Sequence, residues 1–493
     1  MRINSQQLDG WPKLAWVASV PLGSDTVTVL HGAMVEANDH WCVEAVWAGD
    51  FETGDFDKTD LVFGSGVRLR EGKVVFVASG SSTDRIWHCC RKDTVFASNS
   101  LPALLAVAGL SLLDDHHYFR DIRTVCNGLS KYTRTIPVAD GTVSVQYFNN
   151  LILEEGKLIE DEKADCAPHF GSYEDYQCFL QDTAEQLSQN MNHPERKNHV
   201  KPLTTVSSGY DSCATAVVAK YAGCTNAVTI KQSASYWRGS DSGEDVSKYL
   251  NLIPTVYNIK AKQYPWEEAV WAVSGRASIL NWTQFDFPEP LCAFFTGCRG
   301  DTLWNLAENN SVDPFKVPSV SDMGIAEWRL SAGVFHVVVP FWGLRHVNEL
   351  REISRSPEMK PWSVGGGYDR PIARRLVEES GVPRDAFAVL KKNSSSEEYF
   401  TWPHSSEANE SFEQFLREKN IFVPPRWLVP ILRNIIQFDR LFFLNVTSRY
   451  KLPDIGLRIK LRIRASWLLF HWGNEKLKDT YLAGLNSVEN RGD

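Results

Sequence analysis

The hydrophobic pattern divides the chain into three zones. From residue 1 to about 165, short β-type runs dominate: Val27-Thr28-Val29-Leu30, Trp41 to Trp47, Lys73 to Ala78, and the alternating Val143-Ser144-Val145-Gln146-Tyr147-Phe148. Gly, Asp and Ser turns bound these runs, as strands require. One helix is expected near Leu101 to Leu110. A polar, charged stretch runs from about Glu154 to Ala167. Beyond it, Tyr176, Phe179, Leu180, Thr183 and Leu187 fall on one helical face. Ser172 and Asp175 have the spacing of a capping box at that helix's start. A second polar stretch, Asn190 to Lys201, leads into a strand at Leu203 to Val206. From there to about residue 400 strands and helices alternate, the mark of a doubly wound α/β arrangement. Pro430 to Phe438 and Arg464 to Phe470 read as helices, with Pro430 suited to a first helical position. The expected division is a sheet-rich α+β domain at 1–165, an α/β domain at 166–405, and a helical extension at 406–493.

One loop in the second zone carries chemistry. The β-type run Thr204-Thr205-Val206 ends in Ser207-Ser208-Gly209-Tyr210-Asp211-Ser212. A helix is expected next, with Ala214, Val217, Val218 and Tyr221 at i, i+3, i+4 and i+7. Gly223 stands where a helix C-terminus favours glycine. A strand end running into a helix N-terminus offers unpaired N–H groups and a positive dipole end to an anion. The hydroxyls of Ser207, Ser208 and Ser212 add donors, and Gly209 allows close backbone approach. Asp211 would repel a phosphate unless a Mg²⁺ lay between them. The same residues also fit a plain strand-to-helix turn with serine as its cap.

Composition narrows the class. With 493 residues, the chain exceeds one ordinary core. Hydrophobic residues make up 43% and charged residues 23%, which is globular composition. A net charge of -8 argues against bulk nucleic-acid binding, which needs a basic footprint. Ten cysteines show no paired metal spacing. Neither a signal peptide nor a transmembrane run is evident, so the cytoplasm is the expected compartment.

Ser207-Ser208-Gly209-Tyr210-Asp211-Ser212 resembles the SGGxDS pyrophosphate loop of N-type ATP pyrophosphatases, in the asparagine synthetase branch. Ser208 replaces the first glycine of that pattern. Ala227-Val228-Thr229-Ile230 resembles the family strand whose backbone meets adenine, at Thr229 and Ile230. Ser242-Gly243-Glu244-Asp245 resembles the acidic segment that follows. Phe294 to Trp304, with Gly297, Gly300 and Asp301, resembles the second acidic motif, SGxGxDELFGG, although Thr302 stands where glutamate is usual. Glu327-Trp328-Arg329 and Val339-Pro340-Phe341 resemble a segment facing the acceptor substrate. Arg370-Pro371-Ile372-Ala373-Arg374 resembles the lysine-to-arginine stretch. Val382-Pro383-Arg384 and Lys391-Lys392 resemble the elements after it. Ser82 to Trp87 and Thr94 to Leu105 resemble the end of the family's glutaminase sheet.

The resemblance implies an Ntn-hydrolase-like N-terminal domain followed by a doubly wound adenine-nucleotide α-hydrolase-like synthetase domain. It implies an ATP-dependent, AMP-forming amide ligase. Ser207, Ser208, Gly209, Tyr210 and Ser212 would cradle pyrophosphate, with Asp211 and Asp301 as Mg²⁺ ligands. Arg370, Lys392 and Glu327 are the implied catalytic residues. Substrates would be a small-molecule or peptide carboxylate and an amine or ammonia, the amine supplied free, by a partner enzyme, or by the substrate itself. The family's glutaminase uses an N-terminal cysteine; here the first cysteine is Cys42, inside a β-run, so no glutamine hydrolysis is expected. Two other classes stay open. One is a non-catalytic nucleotide- or partner-binding relative. The other is a sulfur-transferring enzyme using Cys213, Cys224, Cys292 or Cys298. Arg458, Lys460, Arg462 and Arg464, alternating with Leu457, Ile459, Leu461 and Ile463, would suit a peripheral membrane contact or an ordinary solvated terminal segment.

Overall fold

The structure, a computed structural model, describes residues 1–231, 240–258, 264–276, 279–306, 313–317, 319–320, 323–388, 402–432, 434–435 and 467–489. It is mixed α/β, with a sheet-rich N-terminal region and a later parallel sheet. The N-terminal region holds a seven-stranded and a six-stranded sheet. Strands Thr26–His31, Trp41–Trp47, Lys73–Val77 and Gly141–Gln146 lie close to their expected places. Ile3, Trp16, Val27 and Val29 of one sheet share a core with Cys42, Val67, Val74 and Phe76 of the other. Trp41–Trp47 is buried along its whole length. Cys42 faces the shared core, whereas Trp41, Val43 and Trp47 pack with Phe51 and Phe56 beyond the six-stranded sheet.

The polar stretch after Glu154 connects the two halves and begins with a strand. Lys157–Asp161 forms an edge strand paired with Asn150–Glu154. Glu155 and Gly156 both have positive φ, 49° and 77°, which matches the backbone of a tight hairpin turn. An edge strand with little buried face has no reason to be apolar. The helix after it, Tyr173–Met191, has the expected capping box. Tyr176, Phe179, Leu180, Thr183 and Leu187 are all buried along it.

The second half contains five parallel strands, in the spatial order Ile253–Tyr257, Asn226–Ile230, Val200–Thr205, Leu291–Thr296, Val334–Val338. The chain starts in the middle at Val200–Thr205, builds outward on one side, then crosses to the other. Thr204 pairs with Ala227 on one flank and with Phe295 on the other. Loops leaving adjacent strands at such a reversal open a crevice at their C-terminal ends, where open α/β sheets bind ligands.

The two halves share one core. Val17, Val46 and Phe63 cluster with Trp342, Tyr176 and Trp472. Arg329 reaches from the second half to place its guanidinium on Glu44 at 2.7 and 3.0 Å and on Asp84 at 2.9 Å. At the C-terminal end, Ser406–Glu418 and Leu469–Glu489 are helices. Residues 428–432 are helical, with Pro430 inside the first turn and not at its first position. The alternating basic segment Leu457–Arg464 and the expected helix start at Arg464 lie outside the described residues. No helix among the described residues is long and apolar enough to cross a membrane.

Candidate functional site

The Ser207–Ser212 loop sits at the sheet's reversal point. Val206 donates its N–H to the Val228 carbonyl at 3.0 Å, carrying strand pairing up to the loop. The helix Tyr210–Tyr221 then begins at Gly209, whose extended φ of -89° and ψ of 160° suit an N-cap without a side chain. Ser212 folds back: its Oγ accepts the Ser207 N–H at 3.0 Å and lies 2.6 Å from Ser207 Oγ. Gly209 donates its N–H to Ser207 Oγ at 3.2 Å. The loop is therefore a closed ring of serines around a helix N-terminus. At the other end of that helix Gly223 has φ of 80°, and its N–H bonds the Lys220 carbonyl at 2.9 Å.

Ser208, the departure from the double glycine, is not strained; its φ is negative. Its hydroxyl donates to Asp241 at 2.7 Å and its N–H donates to the Asp241 carbonyl at 3.1 Å. Asp241 is buried, and sequence reasoning passed over it in favour of Glu244 and Asp245 beside it. Those two instead pair with Lys248 on the surface. Gly243 lies so close under the loop that a Cβ there would stand 2.6 Å from the Val206 carbonyl carbon. Its N–H is held by Thr229 Oγ1 at 2.8 Å. Thr229 thus spends its side chain on shaping the loop's floor, and Thr229 and Ile230 are both buried in their strand.

The second acidic loop meets the first. A Cβ on Gly297 would stand 2.5 Å from the Asp211 carbonyl carbon, and one on Gly300 would stand 2.4 Å from the Asp211 carboxyl carbon. Only glycine fits at either place. Asp301 is the next residue, in the first turn of the short helix Gly300–Leu303. The two carboxylates singled out from sequence therefore lie on abutting loops. Thr302 is buried, its N–H bonded to the Arg299 carbonyl at 2.9 Å.

Arg370 closes the cluster. Its guanidinium is ion-paired with Asp211 and lies over the Tyr368 ring at 5.2 Å. Burial pulls its pKa down, but Asp211 outweighs burial and holds it above the usual arginine value, with Tyr368 and Asp301 contributing. The Tyr368 ring lies tilted against Tyr210 with centroids 4.9 Å apart, and its hydroxyl accepts the Tyr210 N–H at 3.4 Å. Burial, with the Asp211 charge, pushes the Tyr368 phenol up to about 12. Tyr368 was not legible as a site residue, because it is in the polar run beside Asp369 and matches no motif. Arg374 is not directed at the loop's open side. It donates to the Tyr210 hydroxyl at 3.1 Å and fixes the first turn of the loop helix. Arg384 pairs with Glu378 on the surface. Lys391 and Lys392 lie outside the described residues.

Glu327 belongs elsewhere. One oxygen accepts the Ser100 hydroxyl at 2.7 Å and the other the Leu101 N–H at 3.0 Å. It caps the N-terminal-region helix Leu101–Ala108 from outside that helix. Burial raises its pKa against those hydrogen bonds. Its neighbour Arg329 is likewise consumed in the joint with Glu44 and Asp84. Glu327 and Arg329, from a segment expected to face the acceptor, instead contact the N-terminal region, whereas Phe341 lies against Arg299 beside the second acidic loop.

Cys42 is fully buried, and burial pushes its thiol far up. Burial also raises the thiols of Cys213 and Cys292, and that of Cys224 to about 12. A sulfur nucleophile needs the opposite shift. No model of a known protein family matches this chain, and no curated protein matches it.

Proposed function

We propose that the chain is an ATP-dependent, AMP-forming amide ligase of the asparagine synthetase type, without glutaminase activity of its own. One observation carries the reading. Asp211, in a loop that resembles the SGGxDS pattern, packs against Gly297 and Gly300 of the second acidic loop at the reversal point of a parallel sheet. Two resemblances far apart in sequence converge in space. On this reading the parallel half is adenine-nucleotide α-hydrolase-like, and the N-terminal sheets are a degenerate Ntn-hydrolase-like domain.

The donor set fits a hard cation beside phosphates: Asp211 and Asp301 would hold Mg²⁺, as carboxylates from separate loops commonly do. Bound there, Mg²⁺ would neutralise charge on the departing pyrophosphate. Ser207, Gly209 and Ser212, whose donors are bonded to one another within the loop, would turn them to that pyrophosphate at the helix N-terminus. Arg370, lodged at the same point, would add positive charge once released from Asp211. A carboxylate substrate would be adenylated and then captured by an amine or ammonia.

One feature favours a second reading, a non-catalytic relative. Asp211 already has Arg370 as its counter-ion, so the carboxylate is satisfied without Mg²⁺. The sulfur-transfer reading loses three of its four cysteines, Cys213, Cys224 and Cys292, to thiols raised by burial, and keeps only the half-buried Cys298.

The test is release of AMP and pyrophosphate from ATP-Mg²⁺ across a panel of carboxylates with ammonia or amines. Release that depends on one carboxylate and vanishes in Asp211→Ala supports the ligase. ATP binding without release supports the non-catalytic relative. Neither binding nor release leaves the loop a plain strand-to-helix turn.

A further inference from the structure

A second cluster of ligating side chains lies where the connector meets the helix Val347–Arg355. His169, His346 and Glu349 each present one ligand atom, all within 4.8 Å of one another. His169 Nδ1 is 2.8 Å from Glu349 Oε1, and His346 Nδ1 is 3.1 Å from Glu349 Oε2. The two imidazoles cross edge-on, with centroids 5.2 Å apart and planes at 88°. Donors on a tetrahedral zinc ion, each about 2.0–2.1 Å from the metal, stand roughly 3.3 Å apart. Small rotations about the side-chain bonds would bring these atoms to that spacing.

The surroundings are those of a held site. The Phe170 N–H donates to Glu349 Oε2 at 2.8 Å and fixes the carboxylate. Behind His346, Nε2 lies 3.1 Å from Asp165 Oδ2. Asp165 is itself anchored, its other oxygen accepting the Ala167 N–H at 3.2 Å. A carboxylate on the far nitrogen of an imidazole sets its tautomer and ring orientation, leaving the near nitrogen as a ligand. Here that near nitrogen is Nδ1, the one turned to Glu349. His169 has a side chain 91% exposed. It borders an open cleft of about 580 Å³ walled by the connector, the helix Tyr173–Met191 and Asp55 to Leu61 of the N-terminal region. The cluster thus has one side held by Asp165 and the Phe170 N–H, and an open side that admits further ligands.

We propose that His169, His346 and Glu349 bind a divalent cation of the zinc type, with Asp165 as the positioning residue. Two imidazoles and one carboxylate suit a borderline ion, whereas Mg²⁺ and Ca²⁺ favour oxygen alone. The ion clasps the connector, through His169, to the helix Val347–Arg355, through Glu349. It is separate from the Ser207–Ser212 loop and does not depend on that loop's function.

The test uses the full chain, stripped with a chelator and titrated with Co²⁺ and then Zn²⁺, by calorimetry and by visible absorption of the bound Co²⁺. The expected result is one Co²⁺ per chain, displaced by Zn²⁺ and not by Mg²⁺. His169→Ala and Glu349→Gln should each weaken binding by at least 100-fold. Asp165→Asn should weaken it by about 10- to 100-fold, the usual cost of losing an outer carboxylate. His169 is exposed, so His169→Ala should melt like the metal-free parent, which separates lost ligation from lost folding. No stoichiometric binding of either ion by the folded chain overturns the proposal. So does binding that survives both His169→Ala and Glu349→Gln.

Discussion

Two arginine–carboxylate clusters in this molecule look alike in sequence and differ in kind. Arg329 joins Glu44 and Asp84 with side-chain exposures of 1%, 0% and 4%. Ser65 and Asn99 add hydrogen bonds to Glu44 at 2.6 and 3.1 Å. Burial lowers the Arg329 pKa, yet Asp84 and Glu44 outweigh burial and raise it overall. Arg370 is as buried as Arg329, but its partner Asp211 keeps a side-chain exposure of 27% and packs against Gly297 and Gly300 of the second acidic loop. The first cluster is sealed, and Glu44 is supported by a second set of donors, although Asp84 Oδ2 is buried without a hydrogen-bond partner among the described residues. The second opens at the end of a parallel sheet. Burial of the carboxylate, not the presence of the pair, separates a joint from a candidate site.

The sharpest way to break this comparison is to remove the arginine of the sealed cluster. Arg329→Met leaves Glu44 and Asp84 buried without their counter-ion. Losing one partner of a buried pair commonly costs about 3–5 kcal/mol. Urea unfolding should show a loss of that size, or no folded protein at all. A loss under about 1 kcal/mol would mean that the joint carries little of the contact between the halves.

At the open cluster the larger effect should be on chemistry. Asp211→Asn keeps the shape and removes the charge. If the ligase reading holds, pyrophosphate release should fall by about 100-fold or more, the scale of losing a charge-stabilising group. Unfolding free energy should drop by less than in Arg329→Met, since solvent reaches the Asp211 side of the pair. Equal destabilisation of the two variants, with activity retained, would make Asp211–Arg370 another joint.

His336 lies on the strand Val334–Val338, which pairs with the strand leading into the second acidic loop. Its Nε2 is 2.8 Å from Thr296 Oγ1. Burial, aided by the Arg329 charge, lowers its pKa to about 3. The unfolded chain then binds a proton below about pH 6.5 that the folded chain refuses. Stability should fall as pH drops from 6.5 toward 3, by up to about 1.4 kcal/mol per unit from this residue. His336→Gln should lose that slope when melting is compared at pH 7 and pH 5. An unchanged slope would mean that His336 is solvated or paired in solution.

The sequence was most legible where local physics decides. Ser172 and Asp175 specify a helix start by hydrogen bonding within four residues, and the capping box is there. The loop at Ser207–Ser212 is equally local: strand, small residues, then a helical face. Its meeting with Gly297 and Gly300 followed only from family resemblance, because no spacing rule links positions so far apart in the chain. What could not be read was set by distant partners. Asp241 and Tyr368 earn their places through contacts with Ser208 and Tyr210 that sequence separation conceals. Lys157–Asp161 is polar because it is an edge, and polarity alone resembles a linker.

Glu327 gives the smallest predicted effect and the finest discrimination. Sequence resemblance made it catalytic; its contacts make it a cap for Leu101–Ala108 supplied from the other half of the chain. Glu327→Gln keeps one carbonyl oxygen to accept the Leu101 N–H but replaces the oxygen that takes the Ser100 hydroxyl with an amide. The cost should be about 1 kcal/mol, as for the loss of one helix-capping contact. Turnover per folded molecule should be unchanged. If turnover instead falls by tenfold or more while the melting temperature stays put, Glu327 acts on the reaction, and the buried face it shares with Arg329 is not merely a joint.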